Sequence, residues 1–277
     1  MTLVRWQHGN RSELGELLPE AIVVLPLGAT EQHGPHLATG TDWILAEAAS
    51  VRAASLVHER AARPLVVAPV LPFGASDHHL PFGGTLSLSA ETLLAVLLDV
   101  ARSLRADGAR RVLLVNGHGG NTGVCHAAAA TASTRYHLNV AHIDYWNLAD
   151  SRLHYRGKGE GGGASLTVEG ADAPTLASAP DLAPAPDPVP VPGHAGEFET
   201  ALMLGLDAGF VAECKERPEP PVGAVVDDVA LHTAESWQRI DGYTDRPELA
   251  DPAIGRKWFD QLAAALGDRL LELAEVL

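Results

Sequence analysis

The chain has few cysteines and no long apolar run, and both shortages exclude classes of protein. Its 277 residues include two cysteines, Cys125 and Cys214, which lie far apart. Such a pair gives no disulfide framework and fits a reducing compartment. No apolar run reaches the roughly 18 residues needed to span a bilayer, and residues 1–16 lack the apolar core of a secretory signal. We therefore expect a cytoplasmic protein.

Basic residues are also scarce. The chain has 20 Lys and Arg against 35 Asp and Glu, which gives a net charge of −15. A surface this acidic repels the phosphates of nucleic acids and of anionic lipids. Neither nucleic acid nor membrane is therefore an expected partner.

Short apolar runs alternate with helical patterns along the chain. We predict strands over 21–27, 65–70, 111–115 and 140–145, with Pro69 marking either an edge strand or a strand end. Helices are predicted over about 42–60, 89–108 and 122–135, after Gly193, and from about Pro252. This alternation predicts βαβ units and a mostly parallel sheet.

Residues 150–193 differ in composition from the rest. Gly157–Gly163 is rich in glycine, and Pro180–Pro192 repeats proline and alanine. The glycines lack the spacing of a phosphate-binding loop, and the Pro/Ala stretch is typical of an extended loop. We expect a loop insertion at about 150–193.

Side chains that hold divalent metals follow two of the predicted strands. Glu31, His33 and Asp42 come after the first strand, and His118 follows the third. In parallel sheets, sites form beyond the carboxyl ends of the strands. Carboxylates with neutral imidazoles suit zinc, manganese or iron(II), and Asp42 is short enough to bridge two ions.

A later helix adds two further candidates. Glu199 lies in the first turn of this helix, five residues after His194. A two-metal site would lower the pKa of a bridging water toward neutral and polarise a carbonyl. His194 would then be a natural general acid or base.

Several histidine-bearing segments allow two interpretations. The turn 116–121 is either part of the site or a tight strand-to-helix connection. His78 and His79 are either a further ligand source or a polar loop. The remaining histidines singled out are expected to be polar surface residues: His58, His126, His137, His142, His154 and His232.

Five short motifs resemble, in order, those of the creatininase (creatinine amidohydrolase) family. They are LGATEQHGPH at 27–36, GTD at 40–42, GTLS at 84–87, NGHGGN at 116–121 and HAGEFET at 194–200. The resemblance implies one three-layer α/β domain over 1–277, interrupted by the insertion. It also implies two divalent ions (zinc, manganese or iron), hydrolysis of a C–N bond in a small molecule, and a homohexamer built as a trimer of dimers.

Carried over by position, Glu31, His33, Asp42 and His118 match metal ligands, and His194 matches the catalytic histidine. Creatininase proper follows its strand-end histidine with an aromatic residue and a ligating glutamate. Here those positions are Gly119 and Gly120, so Glu199 is the expected replacement ligand. The glycine pair resembles the branch with formamide and amide hydrolases and the peptidase of mycofactocin maturation.

The substrate stays open at this point. We expect a metal-bridging hydroxide to cleave an amide, formamide or cyclic amide. The alternatives are a mycofactocin-type peptidase, a C–C hydrolase of a cyclic diketone and, from another class, a non-catalytic metal-binding subunit. The residues predicted to contact substrate are His36, His78, Asn116, Gly119 and Gly120.

Overall fold

A computed structural model describes residues 2–148, 193–218 and 236–277. Its strands are β1 (Leu3–Arg5), β2 (Ile22–Leu27), β3 (Leu65–Val67), β4 (Arg111–Asn116) and β5 (Asn139–Asp144). Its α-helices are α1 (Arg11–Leu17), α2 (Thr41–Val57), α3 (Ala90–Ala106), α4 (Thr122–Tyr136), α5 (Glu197–Leu206), α6 (Ser236–Arg239) and α7 (Pro252–Val276). The predicted insertion lies outside the described residues, apart from Gly193 at its end.

The strands form one five-stranded sheet in the order β1-β3-β2-β4-β5, and every neighbouring pair is parallel. The prediction of an α/β fold with a mostly parallel central sheet is confirmed. In the central pair, Leu27 at the end of β2 is opposite Asn116 at the end of β4. The segments that follow these two strands therefore leave the sheet side by side.

Each face of the sheet is covered by its own layer of helices. Ile22 and Val24 face a core completed by α2, α5 and α7, whereas Val23 and Leu25 face a core completed by α1, α3 and α4. Successive strand residues point to opposite faces, so a strand buried on both sides is apolar throughout. This explains why β2 reads as a continuous apolar run.

Most predicted element boundaries agree with the structure. The Ser89 side chain accepts a hydrogen bond from Thr92 N at the start of α3, and Gly108 follows that helix with φ of 104°. β3 ends at Val67 and pairs on both sides, so Pro69 follows a strand end and does not mark an edge strand. β1 and α1 were not predicted, because elements of three and seven residues show too little periodicity.

None of the described helices is both long and apolar enough to cross a membrane.

A glycine sets the distance between α5 and α7. A Cβ atom at Gly255 would overlap the carbonyl oxygen of Ala201 in α5. We predict that Gly255→Ala lowers the free energy of unfolding by about 1–3 kcal/mol, because the packed helices must move apart. Equilibrium urea denaturation measures the change.

Gly15→Ala is the matched control. Gly15 lies within α1, and a Cβ there has no neighbour within 4 Å. Alanine should stabilise this position by up to about 1 kcal/mol, because glycine is a poor helix former. Equal stability of Gly255→Ala and the wild type would contradict the close approach of α5 and α7.

Candidate metal centre

The loops after β2 and β4 bring the first predicted ligands together. Glu31 and His33 follow β2, and His118 follows β4. His118 Nδ1 lies 3.2 Å from Glu31 Oε1. Residues 87 positions apart (118 − 31) thus meet because their strands are neighbours with aligned ends.

Asp42 is brought to the same point by the start of α2. A Cβ on Gly117 would overlap the backbone carbonyl oxygen of Asp42, so only glycine lets the helix approach the end of β4 this closely. Asp42 Oδ1 is 2.9 Å from His33 Nε2, and its Oδ2 is 3.1 Å from His118 Nδ1. One carboxylate therefore contacts both histidines, as a bridging ligand requires.

Glu199 enters from the first turn of α5, on the side of His33. Its Oε2 lies 3.9 Å from His33 Nε2 and accepts a hydrogen bond of 2.6 Å from Ala195 N. Burial raises the pKa of Glu199 to about 8. A carboxyl group in this position gains most from a nearby cation, because burial disfavours its charged form.

Three histidines are oriented by backbone carbonyl groups. The bonds are His33 Nδ1 to Glu31 O (3.1 Å), His118 Nε2 to Ala75 O (3.1 Å) and His194 Nε2 to Gln32 O (2.8 Å). A carbonyl only accepts, so each of these nitrogens carries a proton. In a neutral ring the other nitrogen has a lone pair, and in all three it faces a carboxylate. Metal-binding histidines are oriented in this way.

The charge of the site also calls for cations. Glu31, Asp42 and Glu199 are buried, and within the described ranges their ion pairs are all with histidines. Among the residues that the structure describes, none forms a hydrogen bond with either Glu31 carboxylate oxygen or with Asp42 Oδ2. Buried carboxylates need a compensating positive charge.

The pKa values of the histidines show what supplies this charge without metal. Burial opposes protonation of His33, but Asp42, Glu199 and Glu31 outweigh it and raise its pKa to about 10. Burial likewise opposes protonation of His118, and Glu31 with Asp42 raises its pKa well above its usual value. Divalent ions would supply the positive charge that these ring protons supply without metal, so the residues fit a metal pair.

The ligand atoms fall into three overlapping groups. Within each group they lie within 4.8 Å of one another: Glu31, His78 and His118; Glu31, His33 and His194; His33, Asp42 and Glu199. The structure thus brings together all the predicted ligands. It also places a ring nitrogen of His78, and one of the predicted catalytic residue His194, within 4.8 Å of a carboxylate oxygen of Glu31.

His194 lies against the other histidines of the site. Its Nδ1 is 3.4 Å from Glu31 Oε1, and its ring centroid is 4.2 Å from that of His33. Burial, reinforced by His33, lowers the pKa of His194 well below its usual value. The ring is therefore neutral near pH 7, with a lone pair on Nδ1.

Two residues predicted to contact substrate are occupied by protein partners. His36 Nε2 lies 3.0 Å from Ala195 O and 3.2 Å from Thr200 Oγ1, which ties it to the start of α5. The Asn116 amide donates to His118 O and to Asp144 Oδ1, and its oxygen accepts from His118 N. Both side chains are buried and support the loops that carry the ligands.

The other predicted substrate contacts lie around His118. Gly119 is exposed with open space at its Cβ position, whereas a Cβ on Gly120 would overlap Ala75 O and the His118 ring. Gly120 thus permits the bond that orients His118. The half-buried His78 ring is parallel to the His118 ring, with centroids 5.8 Å apart.

Sequence reasoning missed Gln32 and Trp237 beside the site, and it left open whether His79 belongs to the site. His79 is fully buried and lies 4.3 Å, between ring centroids, from His194. Trp237 covers this pair, with ring centroids 4.7 Å from His79 and 5.3 Å from His194. Adjacent histidines were one available signal, but no motif marks Trp237.

One histidine prediction is wrong. His142 is not a surface residue, because its side chain is 5% exposed and its Nε2 bonds Asp144 Oδ1 at 2.9 Å. The buried Asp144 carboxylate at the end of β5 needs donors, and His142 supplies one of them. His154 and His232 lie outside the described residues.

Fold and site together define a three-layer α/β protein with a buried carboxylate–histidine centre at the ends of its central strands. The family model described as creatininase, creatinine amidohydrolase, matches residues 8–270. The chain therefore belongs to the creatininase family. Its described residues include groups that could hold a metal ion.

Two curated relatives illustrate the family's range. The chain is 43% identical over 105 residues to the mycofactocin precursor peptide peptidase of Mycobacterium tuberculosis. The matched region covers 36% of this chain and 41% of that protein. It is 34% identical over 215 residues to the creatinine amidohydrolase of Pseudomonas putida, covering 73% of this chain and 70% of that protein. The first match thus spans less than half of the relative's length.

Solved creatininases share the fold. A mutant creatininase complexed with creatine superposes with a TM-score of 0.73 at 23% identity, covering 98% of each chain. A structure described as creatininase Mn gives a TM-score of 0.72 at 22% identity, again covering 98% of each chain. Identity this low shows the shared architecture alone.

Asp42 is the side chain that tests the metal centre most directly. We predict that Asp42→Asn loses bound metal, because the amide keeps the shape but not the charge that joins His33 and His118. The loss of affinity should exceed the ~10–100-fold caused by removing a residue that only supports a ligand. Elemental analysis and competition with a chelator measure it.

Asp99→Asn is the control, since this exposed carboxylate on α3 contacts only Arg102 among its described partners. It should bind metal like the wild type. Full metal content in Asp42→Asn would show that this carboxylate is not a ligand.

Proposed function

We propose that the chain is a metal-dependent hydrolase that cleaves the C–N bond of an amide, formamide or cyclic amide in a small molecule. The observation that carries this proposal is Asp42, a buried carboxylate that contacts His33 and His118, two rings oriented by backbone carbonyls. Relatives named as an amidohydrolase and as a peptidase support hydrolysis of a C–N bond.

The proposed ligands would together hold a pair of divalent ions, zinc, manganese or iron. Glu31 lies beside His118, Glu199 lies beside His33, and Asp42 contacts both histidines. When bound, such ions supply an acidified water and positive charge for the carbonyl oxygen of the substrate. Solved creatininases described as Mn and as Zn-Zn types support this choice of metals.

His194 is proposed as the residue that moves the proton. Its ring is neutral, its Nε2 proton is held by Gln32 O, and its Nδ1 lone pair faces Glu31. A group in this state can take a proton at Nδ1 and pass it to the leaving nitrogen. The role requires the Nδ1 atom to remain free of metal.

A peptidase is the second candidate, and the 43% identity to mycofactocin precursor peptide peptidases favours it. A C–C hydrolase has weaker support from 29% identity over 123 residues to the 3-dehydro-scyllo-inosose hydrolase of Thermotoga maritima. All five proposed ligands and His194 are present, which argues against a metal-binding subunit without catalytic activity. A cytoplasmic homohexamer remains a proposal.

A substrate panel tests the function. The metal-free chain is reloaded with zinc, manganese or iron(II) and incubated with N-formyl compounds, cyclic amides and short peptides. We expect metal-dependent formation of a free amino group, either by release of formate from the first class or by ring opening of the second. Cleavage of peptides alone would favour the second candidate, and no hydrolysis with any metal would contradict the proposal.

His194→Gln separates proton transfer from metal binding. We predict unchanged metal content with kcat about 10²–10⁴-fold lower on the substrate found by the panel, because a glutamine cannot carry the proton. His8→Gln, at an exposed histidine after β1, is the control and should leave both values unchanged. Loss of metal in His194→Gln would instead make His194 a ligand.

A further inference from the structure

His79 is a buried histidine that the proposed mechanism does not use. It lies in the short 3-10 helix Asp77–Phe82 and is fully buried beside the metal centre. Its two ring nitrogens have different surroundings. Nδ1 is 2.8 Å from Gln32 Nε2, whereas Nε2 has no hydrogen-bond partner among the described residues.

The orientation of the Gln32 amide is fixed by its other bonds. Gly34 N donates to Gln32 Oε1 at 2.9 Å, so this atom is the carbonyl oxygen. The amide nitrogen, Nε2, donates to Gly242 O at 2.6 Å. One of its two protons is therefore used, and one remains.

The remaining proton goes to His79. Gln32 Nε2 also lies 3.2 Å from His194 Nε2, but that nitrogen carries its own proton, which it donates to Gln32 O. A protonated nitrogen cannot accept, so His79 Nδ1 is the acceptor. A neutral imidazole holds one proton, and that proton is then on Nε2.

The Nε2 atom of His79 lies at the edge of the metal centre. Nε2 lies 3.8 Å from Glu31 Oε1, which is too far for a hydrogen bond. The flanking ring of His194 is nearly parallel to that of His79, at an interplanar angle of 20°. A buried donor without a partner is costly, so its presence calls for an explanation, such as a role in binding or catalysis.

We propose that His79 is a substrate-binding residue whose Nε2 proton is donated to an oxygen atom of the bound carbonyl or carboxylate group. Gln32 is a positioning residue that holds this tautomer. The inference rests on the proposed hydrolysis, in which negative charge develops on a carbonyl oxygen and a fixed donor stabilises it. The same proton prevents His79 from ligating metal through Nε2.

The tautomer is tested by ¹⁵N NMR of the metal-free chain labelled in histidine, with His79→Gln assigning the signal. We expect a proton on Nε2 of His79 and none on Nδ1 near neutral pH. A proton on Nδ1, or on both nitrogens, would overturn the proposal.

Ligand binding is tested with acetate as the probe on the zinc-loaded chain. His79→Leu removes the donor and should weaken acetate binding at least tenfold, with zinc content unchanged. His79→Gln places an amide N–H near the position of Nε2 and should stay within threefold of the wild type. Unchanged affinity in His79→Leu, or loss of zinc in that variant, would overturn the proposal.

Gln32→Glu tests the positioning role. A carboxylate accepts from Nδ1 and therefore should move the His79 proton from Nε2 to Nδ1 in the NMR spectrum, while weakening acetate binding at least tenfold. Gln238→Glu, an exposed change on α6, is the control and should alter neither. An unmoved proton in Gln32→Glu would overturn the role of Gln32.

The failure of the proposed function is distinguishable from the failure of this inference. No zinc uptake by the wild type would contradict the proposed function alone. The tautomer is read without metal, and the acetate titration is then repeated on the metal-free wild type and His79→Leu. Equal binding by both would overturn the role of His79.

Discussion

Three carboxylates buried against histidines set the constraint on which the site depends. Glu31, Asp42 and Glu199 come from a loop, from the start of α2 and from the first turn of α5. Their charges would repel one another unless cations or ring protons lay between them. The raised pKa values of His33 and His118 show that protons can play this part. The same buried negative charge favours the binding of divalent metal ions.

Close approaches between backbone segments determine how the histidines of the site are oriented. Gly117 lets the start of α2 reach the end of β4, and Gly120 lets Ala75 O contact the His118 ring. Each backbone carbonyl that binds one ring nitrogen decides that the opposite nitrogen faces the carboxylates. The glycines of this loop therefore do more than allow a turn. They leave room for the backbone contact that fixes which nitrogen of His118 carries the proton.

The parts predicted from sequence are those with a local signal. The central strands are apolar runs, and Glu31, His33 and Asp42 lie within one segment directly after the first of them. Contacts between distant residues gave no such signal. Gln32 meets His79 and Gly242 across 47 and 210 positions, and Trp237 comes from a helix of only four residues. His142 was misread because its partner Asp144 becomes buried only when β5 joins the sheet.

The residues that select the substrate need not be those that hold the metal. The proposed metal ligands come largely from the motif loops, and relatives of the chain are named both as a peptidase and as an amidohydrolase. Gly242 and Trp237, in contrast, belong to a later segment that contacts Gln32, His79 and His194. A change there can shift the His79 donor or its aromatic cover without touching a metal ligand. Under the proposed function, one set of ligands can therefore serve different carbonyl compounds while this later segment sets the choice among them.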